Sequence, residues 1–421
     1  MQIENIIVVY ENDHINVSAQ IGPYPLWFKF NNDFLIDPND ATCFLSNALI
    51  PAMLLGEDIV VSQQYHVSQK LLKNITKIQD VFNFWNPIFK KINITATSKI
   101  LNNDAAGCGS FFSGGVDGSY TLLKYKKEIE YLILINGFDF NMDTNTWKTM
   151  VARTKKIATL TNKQLITVET NFKEFTSNFG LSRFSNFGSN LASISQLLNL
   201  KRCFISAADT FDHLFPSGSH VQLDYLWSTE TCKIEHVGLE ANRKDKLVLI
   251  KNAPNLLANL WVCWEDPKVN CGKCSKCIRT FVSLLLCNID DFPFQQPILI
   301  KDVSNMIIKG SEELFFVEQF FLDAKKQNIK ALTWQLAKLI FKLKSKLFLK
   351  DMDRYLFNSF FENWKRRKIA ISDDMMGISV LPRYTDHYVC EEVKRNHMKQ
   401  KPYKSQLGIG TIFIEAKTSS L

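Results

Sequence analysis

The stretch GSFFSGGVDGSYTLLKY, residues 109–125, places a glycine-rich bend between a short apolar run and a helical pattern. Such an order is typical of a strand that turns directly into a helix. Gly114 and Gly115 lack Cβ atoms, so backbone N–H groups there can approach an anion closely. The following helix adds about half a positive charge at its N-terminus. The bend therefore predicts a phosphate site, although a glycine turn that only lets a helix pack on a sheet remains an alternative.

The segments around this bend alternate between strand-like and helix-like patterns. The strand-like segments are GCGSFFS, EYLILING, QLITVET and RCFISAA, and the helical ones are GSYTLLKYKK, NTWKTMVARTKKIATLT and GSNLASISQLLNL. This alternation predicts an α/β fold with a doubly wound parallel sheet. We predict three parts: a small β-rich module over residues 1–100, the α/β domain over 101–295, and a basic, mostly helical region over 296–421.

Composition limits the class of protein. The 421 residues are 46% hydrophobic, which is typical of a folded globular chain. The N-terminus has an acid where a signal peptide needs basic residues, and no apolar run is long enough for a membrane span, so we expect a soluble cytoplasmic protein. Ten cysteines in such a chain are more typical of metal ligands, nucleophiles or core residues than of disulfides.

Four of these cysteines lie within fifteen residues, with the spacing C-x7-C-x2-C-x2-C, at Cys263, Cys271, Cys274 and Cys277. Four thiolates at this spacing can surround a tetrahedral Zn²⁺ ion, and Gly272 permits the tight turn between them. An iron–sulfur cluster is the rival interpretation, but the Cys-Pro that follows in ferredoxins is absent. The third interpretation is that the four cysteines bind no metal and pack in the core. We predict structural zinc.

The segment SGGVDGS resembles the SGGxDS loop of the PP-loop ATP pyrophosphatases, and the downstream CGxCxxC segment is similar to that of the 7-cyano-7-deazaguanine synthases within that superfamily. The resemblance covers about residues 105–290. It implies that the loop holds the pyrophosphate of ATP while AMP is transferred to a substrate oxygen. Asp117 would hold Mg²⁺ shared with the phosphates. Gly118 stands where the family usually has Ser, and Ser119 is the hydroxyl that would replace it. The predicted pyrophosphate-binding residues are Ser113, Gly114, Gly115, Val116, Asp117, Gly118 and Ser119.

Further candidates follow other predicted strand ends. Asp139 would contact the adenosine moiety or merely form a turn. Arg183 and Gly188 begin a helix whose N-terminus would face the crevice, with an ordinary helix cap as the alternative.

The loop over residues 207–230 is rich in polar side chains and is expected to contact substrate. Asp224 is the substrate-facing carboxylate that the resemblance implies, and His220 is an acid–base candidate or a structural histidine. Arg243 and Lys246 would offset charge on the α-phosphate, or else be solvated surface residues.

These residues lead to one hypothesis and two alternatives. The first is an ATP-dependent ligase-like enzyme that adenylates a carboxylate or amide oxygen, after which ammonia, an amine or sulfur attacks the adenylated carbon. The second is a tRNA- or nucleobase-modifying enzyme, and the third is a non-catalytic, zinc-stabilised ATP-binding protein. Between Ala324 and Ser405 there are 19 Lys and Arg against 8 Asp and Glu, which suggests tRNA or an acidic protein as partner. The alternative to an anionic partner is that these lysines only form the solvated face of a helix whose leucine side is packed, as in the stripe Lys338, Lys342, Lys346 and Lys350.

Overall fold

The computed structural model describes residues 1–361, apart from gaps at 32–33, 103–104, 106, 139–142, 182, 213, 264, 267, 291, 293, 309–310 and 358–359. Asp139 and the basic cluster at 365–368 therefore lie outside the described residues.

The described chain forms twelve strands and eleven helices. The strands are β1 (Gln2–Tyr10), β2 (Ile15–Ile21), β3 (Tyr24–Phe30), β4 (Ile59–Val61), β5 (His66–Ser68), β6 (Ile94–Thr95), β7 (Thr97–Lys99), β8 (Cys108–Phe111), β9 (Tyr131–Asn136), β10 (Gln164–Thr170), β11 (Arg202–Ser206) and β12 (Lys233–Val237). The helices are α1 (Thr42–Leu55), α2 (Gln69–Trp85), α3 (Val116–Lys124), α4 (Thr144–Thr161), α5 (Phe172–Ser177), α6 (Arg183–Leu197), α7 (Arg243–Lys251), α8 (Pro254–Leu257), α9 (Ser275–Leu286), α10 (Ser311–Lys326) and α11 (Lys330–Phe357).

Ten of the strands form one sheet in the order β12-β11-β8-β9-β10-β3-β2-β1-β4-β6, and β5 pairs with β7 in a second small sheet. The strands from β8 to β12 pair in parallel, as their intervening helices require. The structure thus confirms an α/β fold with a large, mostly parallel central sheet.

The N-terminal strands extend this same sheet. β3 pairs antiparallel with β10, with Phe30 opposite Val168, and β1 to β3 follow each other as an antiparallel meander. The described chain divides into two compact units. We call residues 1–113 with 124–239 the sheet unit, and residues 114–123 with 240–361 the helical unit. The three-part division drawn from composition stays a prediction.

Each unit has its own apolar core. In the sheet unit α1 is buried along almost its whole length, and it packs beside α6. In the helical unit, Val116 of α3 joins side chains of α7, α9, α10 and α11. α9 is amphipathic, and the inner face of α11 contributes Leu332, Leu336 and Leu339.

Candidate functional site

The glycine bend opens the helical unit. Gly114 has φ +83°, a conformation that favours glycine, and its carbonyl accepts a hydrogen bond from the Trp261 backbone N–H at 2.8 Å. α3 begins two residues later at Val116 and carries Asp117 in its first turn. The bend thus delivers an acidic side chain to a helix N-terminus, held in place by a backbone hydrogen bond.

Asp117 forms an ion pair with Lys246 of α7, with 2.8 Å between Oδ1 and Nζ. The lysine side chain is 2% exposed and the carboxylate 31%, so the lysine is buried while solvent still reaches the acid. α7 starts with a capping box between Asn242 and Asp245, which fixes the first turn of the helix that carries Lys246. Two candidates that are 129 residues apart in sequence therefore meet in one contact.

Several cationic side chains act on the Asp117 carboxylate. Burial acts to raise the pKa of Asp117, but the charges of Lys246 and Arg243, with a smaller effect of Lys276, outweigh it and hold the pKa below its ordinary value. Burial and the charge of Arg279 lower the pKa of Arg243 to about 10. The Asp117 carboxylate thus lies in a positive electrostatic environment to which Lys246, Arg243 and Lys276 contribute.

Arg243 still has unused hydrogen-bonding capacity. Its Nη2 donates to Thr280 Oγ1 at 2.8 Å, while its buried Nε–H has no hydrogen-bond partner among the described residues. A buried guanidinium donor without a partner is costly, and a phosphate oxygen is a good acceptor for it.

Ser119 is the hydroxyl expected to replace the one missing at Gly118. Its backbone N–H donates to the Gly115 carbonyl, its side chain is fully buried, and its Oγ has no partner within the described chain. The hydroxyl is therefore not used in holding the bend together, and it retains its capacity to bond to a ligand.

The four cysteines converge within the same unit. The sulfurs of Cys263, Cys271, Cys274 and Cys277 all lie within 4.8 Å of one another. The Cys263–Cys274 and Cys271–Cys277 sulfur pairs are 3.8 and 3.9 Å apart. A tetrahedron with metal–sulfur bonds of about 2.3 Å has edges of roughly 3.8 Å. The cluster could therefore bind a metal ion such as zinc.

Backbone amides surround these sulfurs. Cys271 Sγ accepts from the N–H groups of Lys273 and Cys274 at 3.3 Å, and Cys274 Sγ accepts from Cys277 N–H at 3.4 Å at the start of α9. Gly272 has φ +76°, and a Cβ there would lie 2.2 Å from the Gln296 carbonyl oxygen. The glycine predicted to permit the tight turn is thus required both by its conformation and by its neighbour.

Asp224 lies in the sheet unit and is fully buried. Its Oδ2 contacts His236 Nδ1 at 2.7 Å and accepts from Ser219 Oγ at 2.8 Å, and its Oδ1 accepts from the His220 backbone N–H at 3.2 Å. The carboxylate therefore organises the loop over residues 218–224 against β12 through its own hydrogen bonds.

His220 is also buried, and its ring meets Trp85 edge-on with 5.0 Å between the centroids. Nδ1 accepts from the Gln222 backbone N–H at 3.1 Å. Burial, with the nearby charge of His236, lowers its pKa from 6.5 to about 4. The ring is consequently neutral at pH 7, and its Nδ1 is occupied by the Gln222 N–H.

Three further candidate residues are Ser113, Arg183 and Gly188. Ser113 is exposed just before the bend, and Arg183 is the first residue of α6. Gly188 packs against the 218–224 loop, because a Cβ there would lie 2.1 Å from the Gly218 carbonyl oxygen.

Sequence reasoning missed the roles of three residues in these sites. Lys276 and Arg279 lie next to the cysteines in sequence, which suggests that they balance thiolate charge, whereas their charges act on Asp117 and Arg243. Their spacing places them one turn apart on the same face of α9, but it does not identify these distant partners. His236, the partner of Asp224, lies in a strand, where nothing in the sequence distinguishes it.

Comparisons with protein-family models, with curated proteins and with solved structures gave no match. Within the described residues, no helix is long and apolar enough to cross a membrane.

Proposed function

We propose that the helical unit binds the polyphosphate of Mg-ATP and that the protein adenylates a carboxylate or amide oxygen of a small molecule, as PP-loop enzymes do. The single observation that supports this most is the Asp117–Lys246 pair at the N-terminus of α3, with Arg243 and other cations around it. A helix N-terminus, a glycine bend and nearby cationic side chains together favour a polyphosphate.

Each residue has a role in this proposal. The backbone amides of Gly114, Gly115, Val116 and Gly118, with the Ser119 hydroxyl, receive pyrophosphate oxygens. Arg243 and Lys246 offset the charge on the leaving pyrophosphate, and Asp117 receives Mg²⁺. When bound, Mg²⁺ would supply positive charge that neutralises part of the charge on the phosphates. The four cysteines would hold zinc as a structural ion.

The proposed reaction has two balanced steps. The acceptor oxygen attacks the α-phosphorus, the bond from that phosphorus to the bridging oxygen breaks, and pyrophosphate leaves with the electron pair. Ammonia, an amine or a hydrosulfide then attacks the carbon that bears the adenylated oxygen. The bond from that carbon to the oxygen breaks, AMP leaves with the electron pair, and the nucleophile releases a proton to solvent. The cationic group stabilises the first step because negative charge accumulates on the departing pyrophosphate.

The test measures ATP binding by calorimetry, and AMP and pyrophosphate release in the presence of a panel of carboxylates and of small-molecule cell extract. We expect Asp117→Asn to reduce AMP release at least about 100-fold, because the metal ligand is removed. The matched control is Asp323→Asn, since Asp323 pairs with Lys244 at 2.9 Å in the same unit. No ATP binding by the unmodified protein, or equal AMP release by both variants, would falsify the proposal.

One observation favours RNA as a second candidate ligand or substrate. α11 exposes Trp334, Phe341, Phe348 and Tyr355 at intervals of seven residues, and the ammonium of Lys338 lies 4.8 Å from the centre of the Trp334 ring. Exposed rings among lysines resemble the stacking surfaces that bind single-stranded nucleic acid. A PP-loop enzyme with such a surface would act on a base of tRNA.

A further inference from the structure

The outer face of α11 changes in character along the helix. In the first half, the exposed rings of Trp334 and Phe341 have exposed lysines beside them, Lys338 and Lys342. In the second half, the exposed rings have aliphatic side chains beside them instead. The exposed apolar residues of this second half, here called the apolar face of α11, are Phe348, Leu349, Met352, Tyr355 and Leu356.

These five side chains form one contiguous surface. At 100° per residue they lie within about 120° of the helix circumference. Each is 36–84% exposed, whereas the leucines that α11 buries in the core of the helical unit, Leu332, Leu336 and Leu339, lie earlier in the helix. A contiguous exposed apolar face is typical of an interaction surface. Bases stack on aromatic rings and not on aliphatic side chains, so this face favours a protein segment over nucleic acid.

The chain itself contains a segment with matching chemistry. Residues 362–421 lie outside the described residues and follow Phe361 directly. Within them, the stretch DDMMGISVLPRYTDHYVCEEV at 373–393, here called the acidic segment, has five Asp and Glu against one Arg and no Lys. Residues 362–372 and 394–421 together have ten Lys and Arg against two Glu. The apolar residues in the first half of the acidic segment are Met375, Met376, Ile378, Val380 and Leu381.

We infer that the acidic segment packs on the apolar face of α11 in the same chain. Apolar side chains on both sides would be removed from water, which stabilises the contact by about 25 cal/mol for each Å² buried. The charges are also complementary. Lys346 and Lys342 are exposed one and two turns before Leu349, and they attract the carboxylates at the two ends of the segment.

The connection between the two partners is long enough for this contact. Residues 362–372 separate Phe361 from the acidic segment and can span up to about 36 Å, whereas the apolar face extends only about 12 Å along the helix axis. A tether of this length gives the segment an effective concentration in roughly the millimolar range. A separate protein or a second copy lacks this advantage, so the chain's own segment is the favoured occupant. The inference depends neither on adenylation nor on RNA binding.

The test uses the full chain and a zero-length carbodiimide, which joins a lysine amine to a carboxylate only when the two groups are in contact. We expect mass spectrometry to find Lys342 or Lys346 joined to carboxylates of the acidic segment. The reaction is run on a mixture of isotope-labelled and unlabelled protein. The joined peptides should be wholly labelled or wholly unlabelled, because both partners belong to one chain.

A double variant tests the role of the apolar face. Leu349→Gln with Leu356→Gln removes apolar contacts and keeps every charge, so the yield of these cross-links should fall at least about fivefold. Leu322→Gln is the matched control, because Leu322 is 55% exposed on α10 of the same unit. The control should leave the yield unchanged.

Three outcomes would overturn the inference. The first is the absence of cross-links between these lysines and the acidic segment in the unmodified protein, a result that depends on no variant. If the double variant then also weakens oligonucleotide binding, the face belongs to RNA. The second is cross-linking only between labelled and unlabelled chains, which would assign the face to a second copy. The third is an equal yield in the double variant. If that variant does not fold, Tyr355→Gln replaces it, since Tyr355 is 84% exposed.

Discussion

At the scale of single residues, Asp117 and Asp224 show how burial and partners assign different roles to two carboxylates. Asp117 is partly exposed and faces several cations, whereas Asp224 is fully buried and accepts hydrogen bonds from its own loop and β12. An accessible carboxylate can exchange a lysine partner for a metal ion, but a buried one surrounded by protein donors is fixed. Asp117 is therefore suited to ligand binding, and Asp224 is suited to positioning a loop.

His220 gives the sheet unit a pH dependence whose sign can be derived. Its pKa is about 4 in the folded chain and 6.5 when unfolded, so the unfolded state binds more protons between these values. Stability therefore falls as pH drops from 6.5 toward 4. We expect His220 to contribute a loss of about 2 kcal/mol between pH 7.5 and pH 5.

Urea unfolding at both pH values measures this contribution in the unmodified protein and in His220→Asn, whose side-chain oxygen can still accept from Gln222 N–H. The variant should lose about 2 kcal/mol less than the unmodified protein over this interval. The same loss in both proteins would show that His220 titrates normally in the folded state.

Several site residues were predictable because they belong to motifs with a local mechanism. The glycine bend and the four cysteines are each defined within about twenty residues, and helix and turn geometry fixes what they can do. Lys276, Arg279 and His236 were not predictable in their roles, because their partners are distant in sequence. Asp117 and Lys246 were both candidates, but only the packing of α3 beside α7 reveals that they form a pair.

At the scale of elements, strand and helix types from β8 to β11 follow the sequence pattern, because short apolar strand segments alternate there with longer amphipathic helical segments. The N-terminal region was harder to predict. Strands do occur in residues 1–100, where the sequence predicts a β-rich module, but nothing in the sequence specifies that β3 pairs with β10 of the distant α/β segment. α1 has apolar residues all round and contains Pro51, so neither periodicity nor composition marks it as a helix. The burial of α1 in the core of the sheet unit, and not a pattern in its sequence, accounts for its helical structure.

The start of α9 depends on the cysteine cluster, since Cys274 caps the helix and accepts from Cys277 N–H. We expect one equivalent of zinc in the purified protein, and loss of the metal in Cys274→Ser. Metal release should destabilise the helical unit by about 3 kcal/mol or more and lower its melting temperature by roughly 10 °C.

Elemental analysis and thermal unfolding with and without a chelator measure both effects. Cys287→Ser is the control, because Cys287 is buried at the end of the same helix and is not part of the cluster. A metal-free protein with the same melting temperature before and after chelation would contradict a structural metal. A brown protein absorbing near 400 nm would indicate an iron–sulfur cluster instead.

At the scale of the whole molecule, the net charge of +8 is concentrated toward the C-terminus, and α11 is the described element that displays it. The inner leucines of α11 pack into the core of the helical unit, while Lys338, Lys342 and Lys346 are exposed beside four aromatic rings. A helix face that served only to expose solvated lysines would not require exposed aromatic rings beside them. The four rings are 60–84% exposed and recur at every seventh residue, so they lie about 10.5 Å apart along the helix axis. They therefore form one continuous stripe along α11.

This stripe leads to a prediction about nucleic acid. If α11 binds single-stranded RNA, affinity should fall steeply with salt. Lys342→Gln with Lys346→Gln should then reduce the slope of log affinity against log salt by about 0.7 for each lysine–phosphate pair removed. Phe341→Ala should cost about 1–3 kcal/mol of binding at every salt concentration, because stacking does not depend on counterion release. Fluorescence anisotropy with a labelled oligonucleotide measures both quantities.

The control for this prediction is Lys91→Gln, because Lys91 is an exposed lysine of the sheet unit that pairs with Asp80. It should change neither the salt slope nor the affinity. Affinity that is unaffected by Phe341→Ala would assign binding to general charge attraction, since the rings would then contribute no stacking. The absence of binding at low salt, where counterion release is most favourable, would exclude RNA as a ligand of α11.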